Sequence, residues 1–241
     1  MSSYDQDNIT CGDITIEGGD INIKKVCVGI GSYGERADLI VCGKITINGG
    51  TVIAEVIPEA YGAGIGSGVN IISQNSSAKC GDITINGGTV IATGAYGAAG
   101  IGSGMRQDNR LSTCDNIKIT GGTVTATGQN GGAGIGTGWN DSDSRITLCG
   151  KITITGGTVT ATAIVDSGVL YAAGIGTGLK GYCGEISVTG GIVTATRSTV
   201  KRSCDIGCMY GNLSVKVDSS VRTSDGKGYT CVVTDRGYNQ E

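Results

Sequence analysis

The chain has 241 residues, a net charge of −3, 45 glycines, one proline and neither phenylalanine nor histidine. So much glycine disfavours helix, at about 1 kcal/mol per interior position relative to alanine, while the near absence of proline and of a three-residue glycine period removes collagen. Missing histidine removes Ser-His and Cys-His catalysis, the 18 basic and 21 acidic residues are too dispersed for a nucleic-acid surface, and no apolar run is long enough for membrane insertion.

In chain order, the opening "MSSYDQDNIT" has neither the basic nor the apolar region of a signal peptide. A repeat then starts at Cys11 and returns at Cys42, Cys80, Cys114, Cys149 and Cys183, at spacings of 31, 38, 34, 35 and 34 residues. Each unit reads as "ITI", a Gly-Gly turn, a "TVTAT"-like run, a variable loop, a "GIGSG"-like block and a second variable loop. Helical repeats of similar period need two helices per unit, whereas β-branched runs broken by glycine pairs are strand signals. The expectation is an all-β parallel β-helix, or β-solenoid, of about six coils of roughly 34 residues, with about three strands per coil. A degenerate seventh start is expected at Tyr210. Residues 1–211 would form the coils. Residues 212–241, with apolar runs at Val215–Val217 and Cys231–Val233, would form C-terminal cap strands. The N-terminal end shows no comparable cap, which fits a fragment of a longer solenoid and leaves edge or face self-association open.

Stacking turns each repeat position into a column along the axis. Alternation puts the isoleucines of "ITI" and the Val and Ala of "TVTAT" inward and the threonines outward. Ile30, Ile65, Ile101, Ile135, Ile175 and Ile206 of the "GIG" block form one buried column. Its glycines either permit a tight corner or offer a flat surface to a partner. The sequence Asp13, Lys44, Asp82, Asn116, Lys151, Glu185 mostly alternates in charge and is read as register control. The six repeat cysteines are read as buried and reduced, with disulfides between neighbouring coils as the competing reading. A linear column offers no tetrahedral metal site, and no metal, cofactor or catalytic residue is expected.

Two outward surfaces are candidates for binding. One is the threonine sheet, with Thr89, Thr93, Thr123, Thr125, Thr127, Thr158, Thr160 and Thr162 in parallel ranks that could match a repeating ligand, polysaccharide or ice. The other consists of the loops, where recognition usually resides on a rigid scaffold. Tyr61, Tyr96 and Tyr171 end one loop set and Trp139 opens a member of the other, suited to stacking on sugar rings or anchoring a protein. A glycosidase-like carboxylate pair could come only from Glu55, Glu59, Asp141, Asp143 or Asp166, scattered over different units.

"GGTVTATG" and "GAAGIGSG" resemble the Gly-rich β-helix repeats of large cell-surface proteins from anaerobic Gram-positive bacteria. The "ITINGGTVT" segment is similar to carbohydrate-binding β-helix proteins of clostridia, relatives of polysaccharide lyases, although their acidic "DGI" elements are replaced here by "AGIGSG". The resemblance implies a non-catalytic module at a bacterial cell surface or outside the cell, binding a glycan or a host surface protein. An ice-binding solenoid and a polysaccharide lyase or hydrolase are the alternatives.

Overall fold

Every element of the computed structural model is a strand, over described residues 8–34, 39–69, 77–105, 111–140, 147–165, 171–199, 203–207, 215–217 and 221–223. The strands form four parallel sheets in which each strand pairs with its equivalents in the coils before and after. The chain is a parallel β-solenoid of six coils, extended by two strands of a seventh. Its six-stranded cysteine sheet contains Asn8–Cys11, Leu39–Cys42, Ser77–Cys80, Ser112–Cys114, Thr147–Cys149 and Gly181–Cys183. A seven-stranded isoleucine sheet follows, typified by Ile83–Ile85 and Ile117–Ile119. The seven-stranded threonine sheet includes Thr89–Tyr96, Thr123–Gln129 and Thr158–Ile164, and the six-stranded glycine sheet includes Ile65–Val69, Ile101–Gly102 and Ile135–Gly136.

Coils therefore carry four strands rather than three, because the "GIG" block is a strand and not only a corner. Its second glycine (Gly31, Gly66, Gly102, Gly136, Gly176, Gly207) has φ between 134° and 139°. A Cβ there would run into the carbonyl of the same glycine in the next coil at Gly31, Gly66, Gly102, Gly136 and Gly176. The glycines thus serve close backbone stacking. The second glycine of each Gly-Gly pair, such as Gly88 at φ 81° and Gly122 at φ 83°, supplies the left-handed turn between the isoleucine and threonine sheets.

Strict register makes the interior a set of columns. Ile45, Ile83, Ile117, Ile152 and Ile186 are fully buried, as are Val52, Val90, Val124, Val159 and Val193 and the "GIG" isoleucines from Ile65 to Ile206. Each such isoleucine contributes about 1.5–3 kcal/mol by leaving water.

Outside the core, columns of polar side chains hold the register. Asp13 Oδ1 accepts the Lys44 backbone N–H at 2.8 Å, Asp82 Oδ1 accepts that of Asn116 at 3.1 Å, and Asn116 Oδ1 accepts that of Lys151 at 2.9 Å. The expected charge column thus works mainly by side chains capping the next coil's backbone. Lys151 and Glu185 make its ion pair, at 3.4 Å. A neighbouring column, not anticipated from the sequence, joins Glu17, Asn48, Asn86 and Thr120 through side-chain hydrogen bonds of 2.9, 2.8 and 2.8 Å.

At the C-terminal end, Val215–Val217 pairs with Ile186–Val188, and Val221–Thr223 pairs with the strand at Ile192–Thr196, all parallel. These two strands continue the solenoid. Tyr210, the expected degenerate seventh start, lies outside the described residues. Cys208, Cys231 and most of the expected cap lie outside the described residues.

Candidate functional site

The threonine strand of the third coil ends in a register shift between Thr93 and Tyr96, where Tyr96 pairs with Gln129 of the fourth coil. An irregularity of this kind re-aims the side chain that follows it. Tyr96 stands out of the corner with 39% of its surface exposed. Gly97 beside it has φ 69°, and a Cβ there would crowd the Met105 side chain at 3.0 Å. Met105 is buried and fills the space beneath the corner.

Two backbone hydrogen bonds tie this corner to its neighbours. The Met105 N–H donates to the Tyr61 carbonyl at 2.9 Å, and the Trp139 N–H donates to the Gly97 carbonyl at 2.6 Å. Tyr61, Tyr96 and Trp139, from three successive coils, are thereby brought together. The Tyr61 and Tyr96 rings meet edge-on with centroids 6.2 Å apart, and Tyr96 meets Trp139 at 6.0 Å with a tilt of 51°. Both separations lie in the favourable range for aromatic pairs. Tyr61 and Trp139 are half-buried, so the strip is anchored in the corner and wet along one side. Tyr171, the fourth expected aromatic, is half-buried, and among the described residues it makes no ring contact with the other three.

The expected threonines form the adjoining face. Thr89, Thr123 and Thr158 pair in register and are exposed; Thr125, Thr160 and Thr194 form a second rank, and Thr93, Thr127, Thr162 and Thr196 a third, both half-buried. Coils repeat at about 4.8 Å and ranks at roughly 6.6 Å. Complete three-threonine rows occur on the fourth and fifth coils. Ile53 and Ile91 interrupt the second rank, Ile192, 61% exposed, ends the first, and Glu55, paired with Lys24 at 3.0 Å, heads the third. That pairing engages one of the five scattered carboxylates, while Asp141, Asp143 and Asp166 lie outside the described residues.

The repeat cysteines form an in-register row from Cys11 to Cys183. Cys42, Cys80, Cys114 and Cys149 are buried with unbridged thiols, while Cys11 is exposed and Cys183 half-buried at the ends of the row. Hydrogen bonds from Cys114 and Cys42 draw the Cys80 pKa down to about 5. The Cys42 thiol is pushed up by its hydrogen bond with Cys80 and by burial, and Cys114 is pushed up by Cys149, Cys80 and burial.

A family model described as a beta helix repeat matches residues 45–69, 83–105, 117–139 and 152–179. Each matched segment opens on the first isoleucine of an isoleucine strand and closes on the residue after the "GIGSG"-like block: Val69, Met105, Trp139 and Leu179. This match agrees with the four parallel sheets in giving a parallel β-helix fold. Neither a curated protein nor a solved structure matches the chain.

Proposed function

We propose that this solenoid is a non-catalytic binding module, displayed outside a bacterial cell, that takes a glycan along the strip formed by Tyr61, Tyr96 and Trp139. The observation that carries this reading is the ring sequence itself: three aromatic side chains from three coils, with Tyr96 in contact with both Tyr61 and Trp139 and exposed. Aromatic rings of this kind offer large, rigid contact area at low entropic cost, and sugar rings present apolar C–H faces that stack on them. A glycan running parallel to the axis would meet one ring per coil and could extend over Thr93 and Thr127 at the edge of the threonine face. A host surface protein is the competing occupant of the same strip.

Glycan-array and calorimetric binding with wild type and the Y96A/W139A variant tests this reading. Retention of a glycan by wild type and at least a tenfold loss in the variant is expected; binding unchanged by the substitutions would refute it. The complete threonine rows favour a second reading, ice binding, which predicts thermal hysteresis that disappears in T125K/T160K. Its absence in wild type would eliminate that reading.

A further inference from the structure

Beyond the third threonine rank the strands carry one further outward position. Tyr96, Gln129 and Ile164 are register partners in the third, fourth and fifth coils, and the residues just before them, Ala95, Gly128 and Ala163, are buried. Alternation therefore turns the three side chains outward on one face; Tyr96 and Ile164 are exposed and Gln129 is half-buried. One amide thus stands between two apolar side chains, in a column that repeats at about 4.8 Å. The Gly97 backbone ties this column to the aromatic strip. Its N–H donates to the Gln129 carbonyl at 2.9 Å, and its carbonyl accepts the Trp139 N–H. Among the described residues no hydrogen bond engages the Gln129 side chain, whereas the amides of Asn48, Asn86 and Asn116 are bonded to neighbouring coils.

An unengaged amide offers two N–H donors and an acceptor oxygen, and sites that mix apolar walls with a few polar groups use the polar groups to fix orientation and identity. A pyranose ring with only equatorial substituents has C–H faces and a hydroxyl rim. Stacked on Tyr96, such a ring would present neighbouring hydroxyls to Gln129, one as donor and one as acceptor. Charge selects further. The charged residues within two sequence positions of Tyr61, Tyr96, Gln129 or Trp139 are Glu59 and Asp141, both acidic, and Glu59 is exposed. On the third rank Lys24 is already paired with Glu55. A uronate or sulfated chain would meet like charge here. We infer that Gln129 is the specificity-determining residue of the strip and that the ligand is an uncharged polysaccharide of all-equatorial pyranoses; this rests on the glycan reading above.

A β-1,4-linked glucose hexamer, and the same hexamer oxidised at C6 to the uronate, are titrated calorimetrically into the full chain and into Q129A, Q129L and Y96A/W139A. Wild type should hold the glucose hexamer at least about tenfold more tightly than the uronate at low salt. Q129A and Q129L should each weaken that binding about three- to tenfold, as expected for one or two neutral hydrogen bonds. Their unfolding midpoints should stay at the wild-type value, because the backbone bonds of residue 129 remain. Equal or tighter binding of the uronate, wild-type affinity in both Gln129 variants, or retention of some other glycan but not the glucose hexamer overturns this inference. Where Y96A/W139A has nonetheless lost binding, the glycan reading survives that result. Wild type holding no glycan at all, or Y96A/W139A binding as wild type does, refutes the glycan reading and this inference with it.

Discussion

The threonine face and the aromatic corner occupy the middle and the end of the same strands, yet they arise in opposite ways. Thr123, Thr125 and Thr127 face Thr158, Thr160 and Thr162 because the repeat is kept. Tyr96 reaches Tyr61 and Trp139 because the repeat is broken by the register shift after Thr93 and by a tryptophan where other coils have Val69, Met105 or Leu179. Fidelity to the period builds a regular, chemically uniform surface, and departures from it build the local, chemically specific one. A specific ligand is therefore better sought at the departures.

The contrast implies that the stability of both regions comes from the repeated columns beneath them. The largest effect is expected at the glycine column. Gly102→Ala places a Cβ against the Gly136 carbonyl at a φ of 135°, adding backbone strain to a clash that only a shift of the next coil relieves. Urea denaturation should show a loss of at least about 3 kcal/mol, roughly 10 °C in Tm. A loss under 1 kcal/mol would mean that the coils are not stacked this closely. Next comes Ile119→Ala, which empties part of a fully buried column and should cost about 2–5 kcal/mol. A smaller loss would indicate that the interior collapses around the cavity. Both substitutions should weaken the threonine face and the aromatic corner together.

Strand positions and inward columns were legible in the sequence because they rest on alternation, which "ITI" and "TVTAT" state repeatedly. The fourth strand was not, since a two-residue segment such as Ile101–Gly102 has no β-branched run, and its pairing is secured by backbone proximity that glycine allows. At the corner, the residue types announced themselves but their convergence did not. Tyr96 lies five residues before Ile101, whereas Tyr61 and Tyr171 lie four before Ile65 and Ile175. Those offsets do not state which rings meet, and they gave no reason to separate Tyr171 from the other rings.

The smallest effect falls on the exposed amide column, and it separates register from core. Asn86 donates to Asn48 Oδ1 and accepts from Thr120, both at 2.8 Å, so Asn86→Ala removes two hydrogen bonds that water can partly replace. A net loss of about 1 kcal/mol is expected for such neutral, solvent-facing bonds, below the loss at Ile119. Asn48 should feel the change more than Thr120, because its amide oxygen loses the Asn86 donor, while the Thr120 hydroxyl can turn to solvent. A double-mutant cycle between Asn86→Ala and Asn48→Ala should give a coupling of about 0.5 kcal/mol or more for contacting side chains. Additivity of the two substitutions would show that these amides decorate the turn without helping to hold successive coils in line, leaving register to the carboxylate caps at Asp13 and Asp82 and to the glycine stack.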